Sequence, residues 1–194
     1  MGSTNWMTGV GGNIANTLTE CVDLLQDTSI VFRHALGSSP QDMSRAGRVS
    51  GDAMRYLDHI VNEILRARDL SKADGNFDGS ELKSLLRTNV ALAAHPVTRQ
   101  QQVELSNKGI GNGSLPATGS AINMEKLLNK IKHRRPADSN FRFGSQGEHF
   151  YYIAVDKTRQ QPDSIVEINI DIFVELSKRI ANLLHTETDS ATQS

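Results

Sequence analysis

Apolar residues recur at steps of three and four through the first third of the chain, which is the spacing of one helix face. One such series begins at Ile14 and predicts a long helix to about Leu36. After the polar segment GSSPQD, a second series continues to Leu65. Two long helices joined by a short loop should form an antiparallel hairpin, with Leu25 and Leu57 buried in its seam.

The segment DGNFDG, residues 74–79, matches the start of the calcium-binding loop of an EF-hand. That loop needs a bidentate Glu at its twelfth position, where this chain has Leu85. A turn followed by a helix accounts for the same segment. In that interpretation Asp78 is the N-cap, and Glu81, three residues later, completes a capping box. The sequence therefore favours a turn and a third helix, which continues to Ala93, over a calcium site.

The period of the apolar positions changes from helical to extended in the last quarter of the chain. HFYYIAV and SIVEINI are β-branched and aromatic runs separated by a polar turn, which predicts a β-hairpin. Helical spacing returns after Asp171, which we predict caps the last helix as Ser39 caps the second. Another helix is predicted from about Ala121 to Lys132, and Pro136 prevents it from continuing.

These elements predict a mainly α fold: a helical bundle built on a long antiparallel helix hairpin, with a C-terminal β-hairpin as a minor α+β component and a final helix. At 194 residues, the chain is long enough for one domain with a real core. We expect a single globular domain over residues 13–187, with flexible segments at 1–12 and 188–194. The sequence does not decide whether the Gly-rich segment 109–120 is a lid or a slack loop.

Composition narrows the class of protein. The 21 basic and 22 acidic side chains nearly balance, which argues against a strongly basic nucleic-acid module. Cys21 is the only cysteine, so it cannot form an internal disulfide. No apolar run approaches the roughly 18 residues of a membrane span, and the N-terminus lacks the pattern of a secretion signal. No pair of His, Cys or carboxylate residues has the spacing typical of zinc ligands. We therefore expect a cytoplasmic protein without a membrane partner, metal or cofactor.

The densest chemical cluster is NKIKHRR, residues 129–135, at the predicted end of a helix. Four of its side chains are cationic near neutral pH: Lys130, Lys132, Arg134 and Arg135. Cations at a helix C-terminus are stabilised by the helix dipole, so an ordinary solvated helix end is one interpretation. The alternative is a phosphate-facing surface for RNA or a nucleotide, in which His133 stays neutral among fixed positive charges and acts as a general base.

Asn129 and His133 form an Asn-x-x-x-His motif, and they follow two long antiparallel helices. In these features the chain resembles the HEPN group of bacterial defence and toxin proteins. That group commonly shows Arg-Asn-x-x-x-His, in which Arg and His of two protomers meet across a dimer groove and cleave RNA. Here Leu128 stands before Asn129. The resemblance implies a homodimer with His133, Asn129 and Arg134 as catalytic residues, Arg134 replacing the missing arginine.

Three functions are compatible with this sequence. The first is a HEPN-like binding or regulatory protein of bacterial type, which contacts RNA or a nucleotide through the basic segment 130–135. The second is a metal-independent ribonuclease, in which His133 takes the proton of the 2′-hydroxyl group while Arg134 or Arg135 stabilises the developing charge. The third is a non-catalytic helical interaction protein, whose basic helix end is ordinary surface.

Overall fold

The computed structural model describes residues 14–157 and 162–192. Within these ranges the chain contains, in order, α1 (Ile14–Gly37), α2 (Met43–Ala73), α3 (Glu81–Leu86), β1 (Asn89–Ala94), α4 (Arg99–Asn107), β2 (Ser120–Asn123), α5 (Met124–Lys132), β3 (Arg134–Phe143), β4 (His149–Val155), β5 (Ser164–Asn169) and α6 (Ile170–Thr192). The fold is α+β, so the prediction of a mainly α helical bundle is wrong.

The five strands form one antiparallel sheet in the order β2-β1-β5-β4-β3. β5 lies at its centre, where Ile168 pairs with Ala91 of β1 on one side and with Tyr151 of β4 on the other. β3 is an edge strand, and its pairing with β4 shifts around Pro136. Because proline cannot donate to a strand ladder, an irregular edge strand is a position that accepts it. The predicted hairpin of β4 and β5 is present, but it is only part of a larger sheet.

The third helix is shorter than the sequence predicts. It ends at Leu86, and the chain then enters β1, which contains Val90 and Ala93. Both of these residues are buried in the main core. A few apolar residues fit helical and extended spacing almost equally well, so the local pattern does not separate the two. The pairing of β1 with β2 and β5, which involves distant parts of the chain, makes this segment a strand.

Helix caps lie near the predicted positions but not on them. The loop between α1 and α2 continues past Ser39, and Asp42 is the N-cap of α2. Asp42 accepts a hydrogen bond from the Arg45 amide at 2.9 Å. At the start of α6, Asn169 accepts from the amide of Asp171 at 3.0 Å, so Asn169 has the capping role predicted for Asp171. An N-cap requires a short polar side chain next to the first free amides of the helix. Where the sequence has several such residues close together, only the backbone conformation of the folded protein decides which of them is the cap.

α3 is also capped by a different residue from the one predicted. Ser80 accepts a hydrogen bond from the Lys83 amide at 3.1 Å, and its backbone is extended as an N-cap requires. Asp78 lies two residues earlier at the surface, where its carboxylate pairs with the Lys83 side chain at 2.5 Å. The segment 74–79 is therefore a turn followed by a helix start, but Asp78 is not the cap.

The helices of the hairpin pack on one face of the sheet. α1 contacts both α2 and α6, and the predicted hairpin of two long helices is present. Leu25 and Leu57 are each 3% exposed, which confirms that they lie in its seam. They belong to the same core cluster as Ile153 of β4 and Phe173 of α6. This apolar contact fixes the hairpin against the sheet.

The opposite face of the sheet is covered by α4 and by the Gly-rich segment 109–120. Tyr152 faces this side and shares a second core with Leu105 of α4. Gly113 donates its amide to Phe141 O at 2.9 Å, and a Cβ at Gly113 would lie 2.4 Å from Tyr152 Cδ2. Only glycine allows the backbone to approach this closely. Gly113 is thus packed on the sheet, and at this point the segment is not a slack loop.

The ends of the predicted domain fall partly outside the described ranges. The expected flexible segment 1–12 lies outside them, and so do residues 193–194 of the expected tail 188–194, whereas α6 extends to Thr192. Among the helices of the described ranges, none combines the length and the apolar character needed to cross a membrane.

Ser80→Ala should lower the free energy of unfolding by about 1 kcal/mol, because it removes the N-cap of α3. Asp78→Ala is the matched control two residues away. It removes only an exposed ion pair, and such pairs contribute little to stability. Urea denaturation of the wild type and both variants measures the difference, and an equal loss in the two variants would contradict the assignment of Ser80 as the cap.

Gly113→Ala should destabilise the protein by about 1–3 kcal/mol, the usual cost of forcing extra atoms into a packed site. Gly51→Ala is the matched control, because Gly51 lies inside α2 with no heavy atom within 4 Å of the added Cβ. There the exchange should stabilise the helix by roughly 0.5–1 kcal/mol. Opposite shifts of the melting temperature are the expected result, and a tolerated Gly113→Ala would show that the segment does not need its close approach.

Candidate functional site

The fold divides the basic cluster that the sequence singled out. Lys130 lies on the inner side of α5 and is only 7% exposed, with its Nζ 2.8 Å from Ser164 Oγ. Burial, more than the nearby charge of Lys126, lowers the pKa of Lys130. An amino group enclosed by β5 is not placed to contact a phosphate group in this structure.

The two arginines of the cluster are paired with carboxylates. Arg134 donates to both oxygens of Asp58, on α2, at 2.6 and 2.9 Å. Arg135 donates to Asp138 at 2.8 Å and to Asp156 at 2.9 Å. Hydrogen bonds to these carboxylates raise the pKa of both arginines. Their charges are matched locally, and they connect the start of β3 to α2 and to the end of β4.

The remaining members of the cluster stay at the surface. Lys132 and His133 are exposed at the C-terminal end of α5, where His133 is the C-cap. Asn129 is also exposed, and its side-chain amide donates to Glu125 O of the same helix at 2.9 Å. The predicted catalytic group is therefore split, because Asn129 and His133 face solvent while the Arg134 guanidinium group is held by α2.

A different part of the molecule has the shape of a ligand site. A pocket of about 350 Å³ lies between the α1–α2 hairpin and the β3–β4 end of the sheet, with the Gly109–Ile110 corner at its rim. Its walls are mainly apolar, and they include Leu25, Phe32, Met54, Leu57, Phe141 and Tyr151. Small-molecule sites in proteins are typically apolar concavities of this size with a few polar groups.

Small residues of α2 create the space for this pocket. Ala46, Gly47, Ser50 and Ala53 follow one another along the pocket side of the helix at steps of one and three. On the opposite wall Phe141 and Tyr151 are direct partners in the β3–β4 ladder, so their side chains lie on the same face of the sheet. The pocket thus forms where a helix face with short side chains meets a strand face with large ones.

His149 presents a polar ring in the pocket wall that is enclosed by aromatic side chains. Phe32 stacks on it, with ring centroids 5.4 Å apart and planes 11° apart. Phe141 and Phe143 approach it with tilted rings at 6.2 and 5.3 Å. Phe143 is the ladder partner of His149, and Phe141 lies two residues away on the same face. The imidazole is therefore held in one orientation by aromatic contacts on several sides.

The polar contact of His149 is with Ser29 of α1, whose Oγ lies 2.9 Å from Nδ1. Burial, together with the positive charge of Arg33, lowers the pKa of His149 to about 4. The imidazole is consequently neutral at pH 7. The pocket therefore combines mainly apolar walls with the neutral pair of Ser29 and His149 and with further polar residues such as Ser50, Ser139 and Asn140.

Ser29 and His149 are not arranged as a nucleophile and its base. In the described part of the chain no carboxylate bonds to the imidazole, whereas a catalytic histidine is usually oriented by such a group. Ser29 lies in the middle of α1, where the backbone amides are used by the helix and cannot form an oxyanion hole. A base with a pKa of about 4 also accepts a proton weakly at neutral pH. Ser29 and His149 therefore lack the geometry of a serine nucleophile and its general base.

Sequence reasoning did not find this pocket. Ser29 and His149 are 120 positions apart, so no spacing connects them. The one local signal is the alternation of Phe141 and Phe143 before His149, which is typical of a strand face. That signal is incomplete without β3, because no strand is predicted over residues 134–143.

Comparison with known proteins adds no assignment, because no protein-family model, curated protein or solved structure matches this chain. The resemblance to the HEPN group therefore stays a prediction. In residues 14–157 and 162–192 no group of three or more His, Cys, Asp or Glu side chains is suited to a metal ion. The pocket is therefore one candidate functional site, and the exposed part of the basic segment is the other.

Acid should destabilise the wild type more than the double variant Ser29→Ala/His149→Phe. In the variant, a phenyl ring at position 149 keeps the stack on Phe32. The change at position 29 removes the hydroxyl group, which would otherwise be buried without its acceptor. The pKa of His149 is about 4 in the folded protein and about 6.5 when unfolded, so the unfolded state takes up its proton first as the pH falls. This contribution is complete above about pH 6.5 and is lost progressively toward pH 4.

Urea denaturation between pH 7 and pH 4 measures the effect as the difference in unfolding free energy between the two proteins. The wild type should lose up to about 3 kcal/mol more than the variant, as a pKa difference of this size implies. Parallel pH profiles for the two proteins would show that His149 is not held neutral by the fold.

Proposed function

We propose that this protein binds a small, mainly apolar molecule in the pocket between the α1–α2 hairpin and the β3–β4 end of the sheet. The observation that carries the proposal is the pocket itself, a mainly apolar concavity of about 350 Å³ with a few uncharged polar groups in its wall, among them the pair of Ser29 and His149. Ligand sites commonly have this composition, because apolar walls supply affinity and a few fixed polar groups supply orientation.

The pocket is not what packing for stability alone would produce. Protein interiors are close-packed, and apolar surface left in contact with water costs about 25 cal/mol per Å². One larger side chain at Gly47 or Ala53 of α2 would fill part of this space. The short side chains at these positions are understandable if a ligand supplies the missing contacts.

Nucleic-acid binding at the basic segment has less support. Three of its cations already have partners inside the protein. Lys130 contacts Ser164, and Arg134 contacts Asp58. Arg135 contacts the carboxylates of Asp138 and Asp156. Among the predicted phosphate-binding cations this leaves Lys132 exposed. Affinity for a phosphate backbone grows with the number of cations that release counterions, so one lysine gives a weak site.

Ribonuclease activity through His133 also stays a prediction with less support. Leu128 occupies the position where the HEPN motif has arginine, and it is 0% exposed. An arginine there would be buried under α5 rather than presented to a substrate. Arg134, the predicted substitute, is held by Asp58 at 2.6 Å. Neither position offers a free guanidinium group beside His133.

The pocket can be tested with N-phenyl-1-naphthylamine, an uncharged dye that fluoresces in apolar surroundings. We expect one dye per chain, and Ala53→Leu should weaken its affinity at least tenfold by filling the space. Ala73→Leu is the matched control, because Ala73 is exposed at the far end of the same helix. Saturable binding that Ala53→Leu leaves unchanged would place the dye elsewhere, and no binding to the wild type would contradict the proposal.

RNA binding can be tested with a fluorescent single-stranded oligonucleotide at low salt. Lys132→Ala is the informative variant, since it removes an exposed charge without opening an internal contact. If the segment binds phosphate, the log–log salt slope should fall by about 0.7 for the lost contact. His133→Ala should leave that slope unchanged and abolish any metal-free cleavage of the strand. Equal affinity of the wild type and Lys132→Ala would assign this segment to the ordinary surface of a helix end.

A further inference from the structure

We propose that the pocket selects uncharged aromatic molecules that carry a hydrogen-bond acceptor such as a carbonyl oxygen, and that His149 Nε2–H is the donor that recognises it. This inference rests on the proposed function, because it names the class of ligand for the same pocket. It follows from three features: the direction of one buried hydroxyl proton, the free nitrogen of one imidazole, and the absence of charge in the pocket lining.

The hydroxyl proton of Ser29 has one acceptor within reach in the described part of the chain. Ser29 is 4% exposed, so its hydroxyl group is largely shielded from hydrogen bonding with water. Its Oγ contacts His149 Nδ1 at 2.9 Å. Among the hydrogen bonds of the described residues, this contact is the one that Ser29 Oγ makes. Buried hydroxyl groups almost always donate to a partner. Ser29 therefore donates to Nδ1.

The donation by Ser29 fixes the tautomer of His149. A neutral imidazole has one donor and one acceptor nitrogen, so when Nδ1 accepts, the proton is on Nε2. Nε2 has no hydrogen-bond partner among the described residues, yet it is not one of the fully enclosed side-chain atoms. His149 is one of the residues that line the pocket, so we infer that this donor is available to a ligand there. It will favour a ligand with an acceptor over one with a second donor.

The lining of the pocket sets the charge and shape of the ligand. Not one of the residues that form its walls is Asp, Glu, Lys or Arg. A charged molecule would lose its hydration there without gaining an ionic partner, which is costly. Phe32, Phe141 and Tyr151 provide flat aromatic surfaces. These walls match an uncharged ring system, and Nε2–H adds the requirement for an acceptor.

Two probes of nearly equal shape test the selection. 2-Acetylnaphthalene carries a carbonyl acceptor, and 2-ethylnaphthalene has a methylene group in its place. Displacement of N-phenyl-1-naphthylamine gives both affinities. We expect the wild type to bind the ketone about three- to tenfold more tightly, the range that one neutral hydrogen bond contributes. Equal affinities would overturn the inference and leave the proposed function intact.

Ser29→Ala tests the positioning role of the hydroxyl group. Without Ser29 the imidazole proton is no longer directed to Nε2, so the affinity ratio between the two probes should fall toward one. Ser71→Ala, a serine on α2 outside the pocket lining, should keep the wild-type ratio. A ratio that Ser29→Ala leaves unchanged would overturn the role given to this serine.

A direct measurement of the tautomer completes the test. Long-range proton–nitrogen correlation spectra of the ¹⁵N-labelled protein distinguish Nε2–H from Nδ1–H, and we expect Nε2–H in the wild type at pH 7. An Nδ1–H tautomer would overturn the inference, since the pocket would then present an acceptor. If neither naphthalene nor the dye binds, the proposed function fails and the inference fails with it.

Discussion

The burial of α1 between α2 and α6 is the interaction on which the other features of this molecule depend. Leu18 and Val22 are completely buried in its first half. The same rigid helix carries Ser29 and Phe32 two and three turns further on, above the sheet. Because the first half is fixed in the core, the second half is held in place, and the pocket forms beneath it.

The charged residues between α5 and β4 have a structural role that complements this apolar core. Arg134 joins the start of β3 to α2 through Asp58. Arg135 joins Asp138, within the irregular part of the edge strand, to Asp156, which follows the end of β4. These contacts hold an edge strand that contains a proline and cannot form a continuous ladder. The segment with the strongest chemical signal in the sequence thus connects elements of the fold.

The pocket places a neutral polar pair among aromatic walls. Its polar pair, Ser29 and His149, is neutral and enclosed by aromatic rings, and no carboxylate of the described residues bonds to the imidazole. Catalytic histidines need a partner that raises their basicity, whereas burial lowers the pKa of this one to about 4. This arrangement is consistent with the binding role that we propose for the pocket.

The sequence by itself determined the elements that depend on local periodicity. The long series around Leu25 and Leu57 specified the helix hairpin, because a repeat of this length leaves one compatible structure. The β-branched and aromatic composition of two shorter runs specified β4 and β5. Only the tertiary structure decided β1, β2 and β3, since short segments near Val90 or Pro136 become strands through pairing with distant residues. It also decided the pocket, because Ser29 and His149 meet only after the hairpin packs on the sheet.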